Sequence, residues 1–260
     1  MRWDERQQAM LAEMGIRLWS PAAARVGETA ANVDETPIAA PMAALARASA
    51  PAPMQAPVHL ERGPRPLGTD TMGWPELREA VAGCTACALC SGRRQTVFGV
   101  GHERAHWMVV GEAPGEQEDR LGEPFVGKSG QLLDNMLRAV GLTRGEARPE
   151  QQVYIANTVK CRPPGNRNPE PGELSQCEPF LIRQIALVQP RVILAMGRFA
   201  VQSLLRSSEP IGRLRGRVHH YQGVPLIVTY HPAYLLRNPE DKARSWDDLC
   251  LAREILQTAA

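Results

Sequence analysis

The sequence predicts a three-layer α/β/α domain built around a central four-stranded parallel sheet. Four short apolar runs rich in β-branched residues are typical of buried strands: Trp107–Val110, Val153–Ala156, Val192–Ala195 and Leu226–Tyr230. Helical patterns separate or follow these runs, at Gln131–Val140, Pro179–Val188, Phe199–Leu205 and Trp246–Leu256. Strands that alternate with helices favour a parallel sheet covered on both faces. Ligands of such sheets bind beyond the carboxyl ends of the strands, so the loops there should hold the functional site.

The first 73 residues do not follow this pattern. Residues 1–20 are compatible with a short amphipathic helix, because Met10, Met14 and Leu18 fall near one helical stripe. Between residues 21 and 70, 22 of the 50 residues are alanine or proline and none is aromatic. Such a segment can bury little, so residues 21–73 are predicted to be a disordered, flexible linker. The folded domain is accordingly expected to span residues 74–260.

Composition narrows the class of protein. The net charge of +2 does not point to a polyanion as partner, so a DNA-binding surface would have to be a local patch. No run approaches the roughly 18 apolar residues of a membrane span, and the first residues lack a signal-peptide pattern. A cytoplasmic, monomeric protein is therefore expected. In that compartment six cysteines are more often metal ligands or buried thiols than disulfides.

Five of the cysteines have a spacing that suggests a metal centre. Three precede the first strand within seven residues and two follow the second strand: Cys84, Cys87, Cys90, Cys161 and Cys177. A C-x2-C pair with two distant cysteines suits a tetrahedral zinc or a [4Fe–4S] cluster. Spacing alone chooses neither between these metals nor among the first three thiols, and scattered buried thiols are the alternative. Cys250 falls in the apolar pattern of the last helix and is expected to pack in the core.

The loop after the first strand, Gly111–Asp119, combines glycines and a proline with acidic residues. The glycines let the backbone approach a ligand closely, and Glu112 and Glu118 can supply hydrogen-bond acceptors or a base. A plain surface turn is the alternative. The next stretch, Pro124–Gly130, sets Phe125 between small residues. Its glycine spacing is not that of a phosphate-binding P-loop, and Phe125 either stacks on a flat ring or lies in the core.

The ends of the second and fourth strands carry an asparagine and a histidine. The Asn157 amide can donate to one edge atom of a base and accept from its neighbour, although an isolated asparagine more often caps a turn. His231 can donate a hydrogen bond to charge that develops on a leaving group, although a lone histidine is more often structural. Beyond it, Leu235–Arg237 forms either a wedge for a base stack with a phosphate contact beside it, or a buried leucine pair followed by a surface arginine.

Together these segments resemble the family 4 uracil-DNA glycosylases, which are iron–sulfur enzymes of bacteria and archaea. Four segments carry the match, in the order of the family: Gly111–Asp119, Pro124–Gly130, Asn157–Pro164 and His231–Arg237. The resemblance covers about residues 75–258. It implies a [4Fe–4S] cluster rather than zinc, held by Cys84, Cys87, Cys161 and Cys177, with Cys90 as a bystander.

The resemblance also implies a reaction, the hydrolysis that releases uracil from DNA and leaves an abasic site. Uracil would be flipped out of the DNA and stacked on Phe125. Asn157 would read O4 and N3–H of uracil, a pattern that cytosine presents in reverse. His231 would stabilise the departing uracil anion. These three residues would form the chemical centre of the site.

Further roles are implied for the residues around this centre. Glu112 and the backbone near Gly115 would line the sugar and water side, with Glu112 the first candidate to orient water. Glu118 would wall the pocket near uracil C5. The candidate DNA contacts, through phosphates or as a wedge in the base stack, are Lys160, Arg162, Arg167, Leu235, Leu236 and Arg237.

Residues 5–19 weakly resemble the amino-terminal peptide of the psi subunit of the bacterial DNA polymerase III clamp loader. That resemblance implies a helix that tethers a nucleoid-associated enzyme to a partner; a helix packed on its own domain is the alternative. Two other functions stay open. One is a replisome adaptor whose glycosylase domain is a scaffold, and the other is an inactive zinc or iron–sulfur nucleic-acid-binding module. Intact Phe125, Asn157 and His231 favour the enzyme.

Overall fold

The structure is a computed structural model that describes residues 66–258 together with Arg6, Ala9, Met10, Glu13 and Gly63. Most of the predicted helix over 1–20 and most of the predicted linker over 21–73 therefore lie outside the described residues. The four described residues of the amino-terminal segment are helical, and Met10 is buried in one apolar cluster with Trp107 and Trp246. Among the described residues no helix has the length and apolar character needed to span a membrane.

The described residues 66–73 precede Trp74 and lie within the segment predicted to be a linker. Residues 67–71 form a turn in which the Thr71 N–H donates to the Gly68 carbonyl at 3.0 Å. Thr69 is buried, and the Arg183 side chain donates to the carbonyl of Met72. The Met72 carbonyl, directly after this turn, is thus bonded to a side chain far along the chain, which the local composition does not reveal.

A six-stranded sheet forms the centre of the domain. Its strands are β1 Val100–Gly101, β2 Trp107–Gly111, β3 Val153–Asn157, β4 Val192–Met196, β5 Val218–Tyr221 and β6 Val224–Thr229. They lie in the order β1-β3-β2-β4-β6-β5. The four inner strands are parallel, which confirms the predicted central sheet. The antiparallel edge strands β1 and β5 were not predicted, because one has two residues and the other is partly exposed.

Helices cover both faces of this sheet. They are α1 Trp74–Ala82, α2 Glu116–Leu121, α3 Lys128–Ala139, α4 Pro171–Val188, α5 Arg198–Leu205, α6 Ile211–Leu214, α7 Pro232–Leu235 and α8 Lys242–Thr258. Along β2, Trp107 and Val109 pack in a cluster with α3 and α8, whereas Met108 and Val110 pack in a second cluster with α4 and α5. Alternate strand residues point to opposite faces, so the three-layer architecture is confirmed.

The start of α4 differs from the prediction. The helix begins at Pro171 rather than Pro179, and Pro179 lies inside it. The Glu170 N–H donates to the Glu173 carboxylate at 2.8 Å, and Pro171 has the fixed φ angle that suits a first helical position. Cys177 is therefore carried on the body of the helix instead of near its start.

Candidate active site

A cleft of about 870 Å³ lies at the carboxyl ends of the parallel strands. All residues predicted to be catalytic or uracil-binding line it: Glu112, Gly115, Glu118, Phe125, Asn157 and His231. They come from the end of β3 and from the segments that follow β2 and β6, which meet because parallel strands bring their carboxyl ends to one edge of the sheet. The structure therefore assembles these six residues around one concave surface.

Asn157 is the last residue of β3, and it is 2% exposed. Its Oδ1 atom is buried without a hydrogen-bond partner among the described residues. Leaving such an atom unsatisfied costs about 1–3 kcal/mol. Of the five unpartnered buried side-chain atoms among the described residues, it is the only one that belongs to a residue lining the cleft. Gly111 lies opposite on β2, and a Cβ there would collide with Asn157 Oδ1 and the Phe125 ring. The glycine is therefore required for this approach.

Phe125 occupies a strained position beside Asn157. Its φ angle is +55°, in the left-handed region that bulky residues seldom adopt. A Cβ at Gly130 would overlap the Phe125 carbonyl, so this glycine permits the loop to fold back. The Phe125 ring stacks on the His231 ring, with centroids 5.3 Å apart and planes 29° apart. Strain that persists at a cleft is typical of a functional site.

His231 is held in one tautomer by the backbone. The Ala233 N–H donates to Nδ1 at 3.1 Å, so Nε2 carries the ring proton and can donate it in a hydrogen bond. Burial, and next the positive charge of Arg237, lower the pKa of His231 to about 4, while Glu118 opposes this shift. The imidazole is therefore neutral near pH 7 and acts as a hydrogen-bond donor.

Glu118 braces the loops that surround the cleft. Its carboxylate accepts hydrogen bonds from the backbone N–H groups of Gly115 at 3.0 Å, Val126 at 2.9 Å and Gly127 at 3.1 Å. These three bonds fix the loop after β2 against the loop that carries Phe125. Glu118 lines the cleft, as expected, but its carboxylate is occupied in positioning the two loops.

Glu112 lines the cleft and is partly buried. Burial raises the pKa of its carboxyl group, and the positive charge of Arg198 opposes the shift. The Glu112 carbonyl accepts hydrogen bonds from Thr158 Oγ1 at 2.5 Å and Val159 N at 3.3 Å. These bonds fix the backbone of Glu112, which is one of the residues that line the cleft.

A second, smaller cavity is lined by five cysteines and apolar residues. The cysteines are Cys84, Cys87, Cys90, Cys161 and Cys177. Val81 and Phe180 lie in its wall, and Lys160 contributes as well. Among the described residues, no three His, Cys, Asp or Glu side chains are arranged to hold a single metal ion. The five cysteines whose spacing in the sequence suggested a metal centre nevertheless line one common cavity.

Two sulfur atoms in this cavity already accept hydrogen bonds. Arg93 Nη1 donates to Cys161 Sγ at 3.0 Å, and the Lys160 backbone N–H donates to Cys177 Sγ at 3.2 Å. Burial raises the pKa of Cys161 to about 11 and that of Cys177 to about 12. Hydrogen bonds to ligand sulfurs and an apolar shell are features of iron–sulfur sites. The residues of this cavity fit such a group.

Comparison with known proteins decides the family. The pattern of the Uracil DNA glycosylase superfamily matches residues 98–251. A type-4 uracil-DNA glycosylase of Pyrobaculum aerophilum is 40% identical over 190 residues, which cover 69% of this chain and 93% of that protein. The type-4 enzyme of Thermotoga maritima is 42% identical over 168 residues, which cover 64% of this chain and 84% of that protein.

The chain belongs to the type-4 uracil-DNA glycosylases. The family resemblance predicted from the strand-end loops is confirmed. The remaining sequence predictions concern contacts with DNA, and the structure separates these residues into three groups.

Three arginines were predicted to contact phosphates. Arg237 lines the cleft and is exposed. Arg167 lines it too, but its guanidinium makes two hydrogen bonds to the Glu173 carboxylate, at 2.6 and 2.9 Å. Arg162 donates to Asn166 Oδ1 at 2.7 Å and does not line the cleft. Arg237 is the most available of the three to a ligand.

The prediction for Lys160 is wrong. Its side chain is 1% exposed, and its ammonium group donates to the Asn157 carbonyl at 2.8 Å and to Gln184 Oε1 at 2.6 Å. Burial lowers its pKa to about 8, with the opposing influence of Cys177 and Cys161. Lys160 therefore supports the backbone beneath the site and cannot reach a phosphate.

The two leucines of the predicted wedge have opposite environments. Leu235 is fully buried in the cluster that contains α3 and α8, so the prediction that it contacts DNA is wrong. Leu236 is 45% exposed and follows the end of α7. Successive helical residues point in directions about 100° apart, so Leu235 faces the core while Leu236 faces outward. Only Leu236 is available to contact a ligand.

Sequence reasoning missed several residues of the cleft. Arg198 and Phe199 follow β4, and the rule that ligands bind at strand ends could have found them. Arg198 is exposed, and its guanidinium lies over the Phe199 ring at 4.8 Å. Tyr230 and Tyr234 also line the cleft, with rings stacked 4.9 Å apart. Residues 210–212 complete the far wall, and no sequence pattern points to them.

Proposed function

We propose that this protein releases uracil from DNA by hydrolysing the N-glycosidic bond, and that its cysteine cavity holds a [4Fe–4S] cluster. The buried, unpartnered Oδ1 of Asn157 is the observation that carries the reaction. It lies beside an aromatic ring and a neutral histidine that donates from Nε2. The acceptor, the ring and the donor together suit a planar base that has an N–H at its edge and that gains negative charge as its bond to the sugar breaks.

Asn157 is the residue proposed to read uracil. Its Oδ1 accepts from N3–H and its amide nitrogen donates to O4. Cytosine presents the reverse polarity, which would leave two buried groups unpaired and is strongly disfavoured. Phe125 provides the flat surface on which the extruded ring lies, and Gly111 leaves space for both side chains.

His231 is proposed to stabilise the leaving group. As the bond to the sugar stretches, negative charge develops on uracil, and Nε2–H of the neutral imidazole donates a hydrogen bond to it. Because its pKa is about 4, His231 is not in the imidazolium form near neutral pH, so it has no acidic proton to transfer completely to uracil. The leaving group therefore departs as an anion.

Glu112 is proposed to orient the water molecule. The burial that raises its pKa makes its carboxylate a stronger base than an exposed one. Water supplies its hydroxyl to the sugar carbon, its proton passes to Glu112 and then to solvent or uracil, and an abasic site remains. The positive charge of Arg198, which also lines the cleft, opposes the rise of this pKa. Its guanidinium is proposed to face the sugar–phosphate backbone.

Three exposed residues are proposed to hold the DNA: Arg198 and Arg237, which line the cleft, and Leu236, which precedes Arg237 in the chain. Leu236 fills the gap that the flipped nucleotide leaves, which lowers the free energy of extrusion. Arg237 and Arg198 contact phosphates on either side of it. Arg162 and Arg167 remain candidates for further phosphate contacts. Such contacts would use the guanidinium N–H groups that are not bonded to Asn166 or Glu173.

Cys84, Cys87, Cys161 and Cys177 are the residues proposed to hold the cluster. When bound, the cluster supplies a structural cross-link and takes no part in bond breaking. These cysteines come from the loop after α1, the segment after β3 and helix α4. The segment that begins at Cys161 continues into Asn166 and Arg167, which line the cleft. Cross-linking at Cys161 therefore supports one wall of the cleft.

Product analysis tests the proposed reaction. Purified protein is incubated with single-stranded oligonucleotides that contain one uracil, one cytosine or one thymine at the same position. Free uracil and an alkali-labile site from the first strand alone are expected. His231→Ala, which leaves the pyrimidine-reading amide in place, should react far more slowly. Absence of free uracil from folded wild-type protein would contradict the proposal.

A tether to the clamp loader, proposed for residues 5–19, stays a prediction. Of that segment, Met10 is buried against the domain, which the alternative of a self-packed helix predicts. Retention of clamp-loader subunits by the full-length protein tests the tether, with a variant that carries Ala at Leu18 and Trp19 as control. Equal recovery of these subunits with both proteins, or none with either, would remove the proposal.

A further inference from the structure

The cysteine cavity contains one thiol more than a [4Fe–4S] cluster needs. Cys90 lines the cavity together with the four proposed ligands. It lies on a single 3-10 turn, residues Ala88–Ser91, and is partly exposed. Its backbone N–H donates to the carbonyl of Cys87 at 3.3 Å, which places it one turn beyond Cys87. Cys90 is therefore near the site without being required by it.

The spacing around Cys87 is symmetrical. Cys84 precedes it by three positions and Cys90 follows it by three, so Cys87 is the shared member of two C-x2-C pairs. Either pair offers two thiolates at the spacing that iron–sulfur sites use. A site without Cys87 would have to span from Cys84 to Cys90, which is not a C-x2-C pair. Cys87 is thus common to both possible ligand pairs, whereas Cys84 and Cys90 have the same spacing from it and can replace each other.

Burial separates the five cysteines into an inner pair and an outer group of three. Cys161 and Cys177 are buried on the inner side, where hydrogen bonds to their sulfurs hold them in place. Cys84, Cys87 and Cys90 are partly exposed. A short 3-10 turn has few internal hydrogen bonds, so a small movement of Cys90 has little cost. Exchange at the outer side therefore leaves the inner pair undisturbed.

We propose that Cys90 is an alternate ligand, so that the cluster is held by Cys87, Cys161, Cys177 and either Cys84 or Cys90. In the exchange, the Cys90 thiol gives its proton to solvent and its sulfur bonds to the iron that Cys84 releases. The Cys84 thiolate then takes up a proton. No electron is transferred, so neither oxidant nor reductant is needed. The inference rests on the proposed cluster, and it predicts a site that tolerates loss of Cys84.

Metal content of full-length variants tests this inference. Cys84→Ala, Cys87→Ala, Cys90→Ala and the double variant Cys84→Ala/Cys90→Ala are purified without oxygen. Iron, sulfide and zinc are measured per chain together with visible absorbance, and Cys250→Ala serves as the control outside the cavity. The two single variants at positions 84 and 90 should keep the cluster. Cys87→Ala and the double variant should lose it.

Thiol alkylation of the folded proteins provides a second measurement that does not depend on the double variant folding. In wild-type protein Cys90 should react with iodoacetamide, and in Cys84→Ala it should become protected. Equal reactivity of Cys90 in both proteins, or loss of iron from Cys84→Ala alone, would overturn the inference while leaving the proposed cluster intact. Wild-type protein without iron and sulfide would overturn both, whereas the uracil-excision assay tests the reaction separately.

Discussion

The cleft and the cysteine cavity lie along one stretch of chain, yet they are built in opposite ways. In the cleft, the Asn157 amide oxygen is buried without a partner and Arg237 is exposed. In the cavity, the sulfurs of Cys161 and Cys177 accept hydrogen bonds and are buried. The open acceptor of Asn157 and the exposed Arg237 suit binding of a substrate, whereas the bonded, buried sulfurs suit a structural role. We therefore propose the chemistry for the cleft and a supporting role for the cavity.

Lys160 connects the two regions. Its backbone N–H donates to Cys177 Sγ, and its ammonium group donates to the carbonyl of Asn157. The same residue therefore contacts a proposed cluster ligand and the proposed uracil-reading residue. Variants that act on one region alone can test whether this separation of roles is correct.

The largest expected effect comes from removing the proposed donor of the cleft. His231→Ala should lower kcat/KM for uracil excision by about 10²–10³-fold, the usual loss for one donor to a developing anion. The iron content and the temperature midpoint of unfolding should change little. Excision kinetics and iron analysis on the same preparation check both statements. Loss of iron in this variant would show that the two regions are not separable.

Neighbouring leucines give a matched pair of opposite effects. Leu235→Ala should destabilise the domain by about 2–5 kcal/mol, because it opens a cavity in the core. Leu236→Ala should alter stability by no more than about 0.5 kcal/mol. It should instead slow excision from double-stranded DNA several-fold more than from single strands. Denaturant unfolding and excision on both substrates check the pair; equal stability losses would contradict it.

The pH dependence of stability offers a test of His231 itself. Its pKa is about 4 in the folded protein against an ordinary value of 6.5, so the unfolded chain binds a proton more readily between these values. Stability contributed by the neutral imidazole is therefore present above pH 6.5 and is lost as the pH falls toward 4. Thermal unfolding from pH 7 to pH 4 should show a smaller loss for His231→Gln than for wild type. Identical losses would contradict the buried neutral histidine.

Salt dependence distinguishes the arginine at the mouth from the buried lysine. Arg237→Ala should weaken binding to a uracil-free oligonucleotide and reduce the logarithmic salt slope by about 1, because one phosphate contact is lost. Lys160→Met should leave this slope unchanged and lower stability instead. Binding isotherms at several salt concentrations check both variants. A reduced slope for Lys160→Met would restore it as a phosphate contact.

Two regularities of the sequence predicted the central sheet and some of the residues that line the cleft. Apolar runs marked the inner strands, and polar residues at their ends marked Asn157 and His231. The same rule applied to β4 would have identified Arg198. These features are predictable because they depend on local pattern and on one general property of parallel sheets.

Burial of individual charges and of adjacent leucines was not predictable in this way. Lys160 has the charge of a phosphate ligand, and only its contacts with Gln184 and the Asn157 carbonyl reveal another role. Leu235 and Leu236 are adjacent residues of the same type, and only the orientation of α7 decides which of them is buried. The early start of α4 depends on Glu170 and Glu173, whose capping bonds precede the apolar pattern. These outcomes follow from tertiary contacts.

The proposed role of Asn157 can be tested by single-turnover excision of uracil with wild-type protein and Asn157→Ala, with iron measured in the same samples. Wild-type protein should leave an abasic site at the uracil. Asn157→Ala should keep its iron and its fold and lose at least about 100-fold in rate, because the pairing of a buried polar group is lost. Excision at the wild-type rate by Asn157→Ala would contradict the assignment of chemistry to the cleft.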